Sequence, residues 1–162
     1  MRPMVEDLNK LAREIVTKNQ YMVLGTAEKE GSWVSPVAYA FDKHFNFYFV
    51  SIPTSRHSIN ITKNKNVSVS IYDSRQKWGY GVGLQAEGTV SKCKLTEIPK
   101  VATLYFDRKY PYGSVTGAFV TAFKNLLKNK TYFFYKFVPT KTWINNPNEP
   151  TDVRAEVQIY RG

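Results

Sequence analysis

The 162 residues include one cysteine, Cys93, and two histidines, His44 and His57. A single thiol excludes an internal disulfide framework, and three soft ligands fall short of the four that close a structural zinc site. No metal centre is expected. No apolar run approaches the about 18 residues of a membrane span. The first turns of the chain form a charged amphipathic stretch rather than a secretory leader. A reducing, cytoplasmic setting without membrane contact is the expectation. Acidic residues are scarce, 13 against 23 Lys and Arg, which leaves a formal charge of +10.

Aromatic residues are plentiful. There are 11 Tyr, 10 Phe and 3 Trp, and 43% of the chain is hydrophobic. So much large apolar surface offsets chain entropy and excludes disorder. The length suits one domain, residues 1–162. The positive charge is regional. Residues 1–50 carry six basic and six acidic side chains, whereas residues 51–141 carry fifteen basic and four acidic. Such a region suits nucleic acid, an anionic surface or a phosphorylated small molecule.

Periodicity predicts an amphipathic helix over Pro3–Lys18, on which Leu8, Leu11, Ala12, Ile15 and Val16 share a face. Strands follow at 21–27, 33–41 and 45–51, as an antiparallel meander with short polar turns. Pro36 assigns the second of these to an edge, a bulge or a place where backbone faces a ligand. A short helix is expected over 53–64, opened by Pro53. Strict alternation over 66–72 gives the clearest strand, with Val67, Val69 and Ile71 on its buried side. A strand at 82–91 precedes two helices, 95–108 and 115–128, and strands at 132–138 and 153–160 end the chain. The fold class is mainly β, an antiparallel barrel of about six strands with peripheral helices.

The densest cluster of chemistry is Ser51-Ile-Pro-Thr-Ser55-Arg56-His57-Ser58. Hydroxyls, a guanidinium and the N–H groups of a helix's first turn compose an anion site, best matched to one terminal phosphate. The same residues also suit an ordinary capped helix start, since Ser is favoured there. Gly79-Tyr-Gly-Val-Gly83 is not a dinucleotide loop, because Leu84 stands where a third spaced glycine is needed and the run enters a strand. Gln85 lies among apolar neighbours, where it can face a heterocycle edge or solvent. No acid partner is fixed for His57, so no Ser/His/Asp triad can be argued. Cys93, between Lys92 and Lys94, is expected to be an inert surface thiol. Lys63, Lys65, Lys124, Lys128 and Lys130 are candidates for a nucleic-acid face or for solvated surface.

The order of these segments resembles the pyridoxamine 5'-phosphate oxidase-like, flavin-binding split-barrel family. The resemblance runs from Tyr21 to Lys92. It rests on the Tyr21–Ala27 strand, Ser35-Pro-Val-Ala-Tyr39, Asn46-Phe-Tyr-Phe49, Ser55-Arg-His57, Asn60-Ile61, Asn64–Ile71 and Gln85-Ala-Glu-Gly88. It implies a six-stranded split barrel with an N-terminal helix and a helical insert, dimerising around flavin mononucleotide (FMN) held at the subunit interface. By resemblance, Ser51, Ser55, Arg56 and His57 match the phosphate-binding segment, with His57 where the family often has Lys. Ser35, Pro36 and Val37 match the strand whose backbone lies against the isoalloxazine, and Gln85 matches a strand with polar contacts near the cofactor. Two departures speak against vitamin B6 oxidation. The tail reads Arg154-Ala-Glu-Val157 instead of Arg-x-His, and Ala40 or Phe41 replaces a lysine after the second barrel strand.

The expected function is therefore that of an FMN-binding oxidoreductase acting on a small molecule with an external electron donor, a deazaflavin being the alternative cofactor. The insert at 95–128, with Tyr105, Phe106, Tyr110, Tyr112 and Phe119, would either wall the substrate cleft or simply pack on the barrel. A flavin-binding or flavin-sensing protein without turnover is the second reading. A basic barrel that binds single-stranded nucleic acid is the third.

Overall fold

The structure, a computed structural model, describes residues 7–108, 121, 124–125 and 128–160. Helix α1 (Leu8–Lys18) starts at Asp7, whose carboxylate accepts the Lys10 N–H at 2.8 Å. It is followed by β1 (Tyr21–Glu28), β2 (Gly31–Ala38), β3 (Ala40–Phe41), β4 (Phe47–Ser51) and α2 (Arg56–Lys63). The remainder is β5 (Asn66–Tyr72), β6 (Gly83–Lys92), α3 (Ile98–Asp107), β7 (Phe133–Asn145) and β8 (Arg154–Glu156). No described helix is long and apolar enough to cross a membrane.

The strands form one antiparallel sheet in the order β2-β1-β5-β6-β7-β4-β3, with β8 added on β7. Eight strands replace the expected six because short segments pair as well. Tyr39 splits the 33–41 strand into β2 and β3, and β8 keeps only three residues of the 153–160 segment. The split has a local cause. The Tyr39 N–H donates to Gln20 O at 3.0 Å, prolonging the β1–β2 ladder, while the next residue, Ala40, already pairs with Tyr48 of β4. The terminal strands of the ladder are thus one residue apart in the chain, so the sheet must roll up until its edges meet. Pro36 lies on edge strand β2, where its missing N–H costs no ladder bond.

The rolled sheet encloses the core. Met22, Leu24, Phe47, Ile71, Leu84 and Phe137 are fully buried, and Phe47 meets both Tyr39 and Phe137 at ring separations of 5.5 and 5.9 Å. Helix α1 closes one end with Ala12, Ile15 and Val16. The Tyr39 hydroxyl donates to Val16 O at 2.6 Å, which fastens that helix to the β2–β3 joint. Arg108 adds to the same joint, donating to the carbonyls of Tyr39, Val16 and Asn19. Helix α3 packs on the outside of the barrel. Val101 and Tyr105 cover Phe134 and Tyr48, which shows the described part of the insert as a packing cap. The expected helix at 115–128, with Phe119, and the aromatic residues Tyr110 and Tyr112 lie outside the described residues, apart from a few positions.

Two sequence expectations about elements are corrected. Helix α2 begins at Arg56 rather than at Pro53, because Ser55 is the residue whose side chain caps it. Strand β7 runs on to Asn145, since Thr142, Trp143 and Ile144 keep pairing with β6 past Pro139. The β6–β7 register shifts between Glu87 and Gly88, and a Cβ at Gly88 would lie 2.1 Å from Val138 O. A backbone atom cannot yield as a flexible side chain does. Gly88→Ala is expected to destabilise by about 2–3 kcal/mol, read as a lower urea midpoint. Gly81→Ala, with nothing within 4 Å, should stay within about 0.5 kcal/mol of the parent.

Candidate anion-binding site

Rolling the sheet brings β2 beside β4 without a ladder between them, and α2 lies across that seam. The helix is tied to β1 by three contacts. Asn60 Nδ2 donates to Thr26 Oγ1 at 3.1 Å, Asn64 Nδ2 donates to Ala27 O at 3.1 Å, and Lys63 pairs with Glu28 at 3.2 Å. Asn60 and Thr26 are both buried, so their bond holds the helix where little water competes.

The first turn of α2 then delivers His57 into the seam. Its Nδ1 lies 3.0 Å from Ser35 Oγ on β2, and its Nε2 lies 2.7 Å from Ser51 Oγ at the end of β4. Ser55 Oγ is 3.2 Å from the same Nε2 and 3.0 Å from Ser51 Oγ. It also caps the helix by accepting the Ser58 N–H at 3.3 Å. The imidazole thus laces the two sides of the seam together. Burial pulls its pKa below the ordinary histidine value, and no carboxylate opposes this, so the ring is neutral at pH 7. Beneath it the Phe49 ring lies 6.3 Å away and stacks at 5.3 Å on Tyr135 of β7. The Tyr135 hydroxyl is buried beside Ser58 without a hydrogen bond of normal geometry.

Arg56 is the charged member. It is exposed, and its guanidinium lies 4.6 Å above the indole of Trp33 on β2. Stacking orients the fork while leaving its N–H edges open to an anion. The Arg56 and His57 N–H groups at the head of α2 likewise have no intrahelical carbonyl to accept them, whereas that of Ser58 is taken by Ser55 Oγ. Five of the eight residues singled out from the sequence therefore come together, namely Ser35, Ser51, Ser55, Arg56 and His57.

The other three lie elsewhere. Val37 is buried in the core, so only its backbone is available to a ligand. Pro36 faces outward into a groove of about 470 Å³ with Tyr21, Tyr72 and Arg75. Gln85 lies on the outer face of β6, lining an adjoining groove of about 360 Å³ with Val34, Ser68 and Trp143. Its Oε1 accepts from Arg154 Nε at 2.8 Å. Trp33 opens the candidate segment Trp33–Tyr39 in the sequence but is not itself marked as a ligand contact there, and nothing in the sequence marks Tyr135. Trp33 becomes relevant only through the approach of Arg56. Tyr135 shares a strand face with Phe133 and Phe137 and reads as a plain core aromatic.

No group of three His, Cys, Asp or Glu that could hold a metal occurs among the described residues. Among the described residues no carboxylate meets His57, and both its nitrogens face hydroxyls, Ser35 Oγ at Nδ1 and Ser51 Oγ at Nε2. Cys93 is half-buried rather than on the surface. Burial, with the nearby Glu97 carboxylate adding and Lys136 opposing, pushes its thiol up to about 12. The flanking lysines therefore do not activate it.

A small antiparallel barrel with a serine–histidine cluster at its seam defines a class of fold, and similarity to known proteins gives the family. The sequence pattern of the pyridoxamine 5'-phosphate oxidase family matches residues 8–119, and the chain belongs to that family. No curated protein matches by sequence. Among solved structures, Atu2129 of Agrobacterium tumefaciens, of unknown function, superposes with a TM-score of 0.70 at 16% identity, covering 96% of this chain and 64% of its own. A heme binding protein from Mycobacterium smegmatis gives 0.71 at 15% identity, covering 96% of this chain and 59% of its own. HutZ, the heme storage protein of Vibrio cholerae, gives 0.63 at 15% identity, with 85% and 91% covered. The chain spans less than two thirds of the first two proteins. At these identities the likeness concerns the fold.

The Cys93 environment gives a direct check. At mildly alkaline pH its thiolate fraction should fall on the order of a thousandfold below that of a free thiol. Labelling by a disulfide reagent should be correspondingly slow in the native protein and fast after denaturation. Fast native labelling would show that the thiol is not buried as described.

Proposed function

We propose that the protein binds FMN through its phosphate and serves as a flavin-dependent oxidoreductase. The observation that carries this reading is the start of α2, where the Arg56 fork lies over Trp33 and the hydroxyls of Ser51 and Ser55 lie 3.0 Å apart. One fixed cation, several hydroxyls and free helix N–H groups suit a terminal phosphomonoester. The donor set fits that group. When bound, the flavin supplies hydride or electron transfer.

The chain's own part is to bind and orient. Arg56 and the first turn of α2 would take the phosphate oxygens, and Ser51 and Ser55 would add hydroxyl contacts. His57 would hold Ser35 and Ser51 in place. Edge strand β2, where Pro36 offers no N–H, would give the ring system an unladdered backbone edge. A second copy of the chain would cover the outer sheet face, where Val34 is 65% exposed, Tyr21 54% and Tyr72 50%. The tail, in which Arg154 is held by Gln85 and Asp152, offers no histidine to a substrate, which favours a substrate other than pyridoxamine 5'-phosphate. Two structural neighbours are heme proteins by name. Here both His57 nitrogens are already engaged, an arrangement that favours phosphate over heme iron.

Titration of the purified protein with FMN, followed by flavin fluorescence, tests this reading. Saturable FMN binding is expected, and Arg56→Ala should weaken it by about 1.5–3 kcal/mol, the worth of a charge-assisted hydrogen bond. Riboflavin, lacking the phosphate, should bind both proteins alike. Bleaching of bound flavin by a nicotinamide donor would support turnover over mere carriage. If FMN fails to bind while heme does, the reading is wrong.

A further inference from the structure

The bridge made by His57 can exist in two charge states. A hydroxyl both donates and accepts, so each serine facing the ring can adjust to the proton it meets. With a neutral ring, one nitrogen donates and the other accepts. With both nitrogens protonated, Ser35 and Ser51 both become acceptors and the bridge across the seam keeps its two bonds. Their own protons then turn elsewhere, Ser51 toward Ile52 O at 3.4 Å or toward a ligand, and Ser35 toward a ligand. Protonation therefore frees hydroxyl donors without breaking the lacing.

The surroundings decide which state prevails. Strand β2 presents Ser35, β4 presents Phe49 and Ser51, α2 presents Ser55, Ser58 and Arg56, and β7 presents Tyr135. The titratable members of that set are Arg56 and Tyr135, and neither carries negative charge at neutral pH. A second positive charge beside Arg56 has no counterion until an anion arrives. An incoming phosphate would supply one a few ångströms from the ring, in a half-buried place where charges interact strongly.

We propose that His57 takes up a proton from solvent when a phosphomonoester binds at the head of α2, so that the site carries two cations only in the presence of its ligand. The inference rests on reading this place as the phosphate site, and it deepens that reading by naming the ligand's charge. A dianionic monoester stabilises the imidazolium more than a singly charged diester, so the site selects terminal phosphates. The sign follows from linkage. The imidazolium forms more readily in the complex than in the free protein, so the added affinity is present below the complex's midpoint. It is lost as pH rises through that midpoint.

Proton NMR resolves this in the wild-type protein, because His44 and His57 are its two histidines. The His57 titration midpoint should rise by about one to three pH units on saturation with FMN or with inorganic phosphate. Calorimetry in buffers of unlike ionisation heat should show uptake of up to one proton near neutral pH. His57→Asn should abolish this uptake and leave only the pH dependence that the phosphate's own second ionisation, at about pH 6, gives to FMN binding. A His57 midpoint unmoved at saturation would overturn this inference and leave the phosphate site standing. Failure of both FMN and phosphate to bind would overturn the two together. If His57→Asn does not fold, the wild-type NMR measurement decides alone.

Discussion

Tyr39 stands alone between β2 and β3, the two terminal strands of the ladder. A chain that leaves one edge of a sheet and joins the opposite edge after a single residue leaves the sheet no choice but to curl. Core, seam and site follow from that step. The curl sets β2 opposite β4 with no ladder between them, while Phe47 and Phe49 meet Phe137 and Tyr135 as register partners of the β4–β7 ladder. Because the step is so short, its geometry is secured from several sides, by the Tyr39 hydroxyl on Val16 and by the Arg108 guanidinium on the carbonyls around it.

The seam is where backbone pairing stops, so side chains must do the joining there. Hydroxyls and a neutral imidazole suit the task because they satisfy one another without a buried charge. Placing the one strong cation, Arg56, outside this network keeps its fork open while the network stays satisfied. The regional positive charge thus has two components. Some of it is paired locally, as in Lys63 with Glu28 and Lys136 with Glu97. Arg56 instead rests on an aromatic face, a contact that leaves its hydrogen-bonding edge unspent.

Much of this could be read from the sequence wherever a single segment carries the information. Alternation over Asn66–Tyr72 named both the strand and its buried side, and the Ser-Arg-His cluster at a strand end marked the head of a helix. Face parity was legible too. Leu84 and Ala86 point inward, so Gln85 between them points out, and Val37 is an apolar residue on the inner side of its strand. What could not be read depended on long-range register. That Tyr39 divides a strand depends on its bonding to Gln20 and on Ala40 meeting Tyr48. That Arg56 stacks on Trp33, or that Tyr135 hides an unpartnered hydroxyl beside Ser58, requires the closed barrel. Capping decided the start of α2, and Ser55 outweighed the proline signal two residues earlier because its side chain reaches a backbone N–H.

The pairing of Ser51 with Phe133 has a consequence for how the molecule assembles. The β1–β2 hairpin joins neighbours in sequence, whereas β4 and β7 meet across most of the chain, and such distant contacts form slowly and late. The candidate site lies at the β2–β4 seam, next to that long-range pairing. Until β4 and β7 meet, their aromatic residues stay exposed, and the His57 cluster at the seam is assembled only when that exposure ends. Any ligand that binds only the closed seam would draw the folding equilibrium toward the closed barrel by mass action, so occupancy and foldedness would rise together.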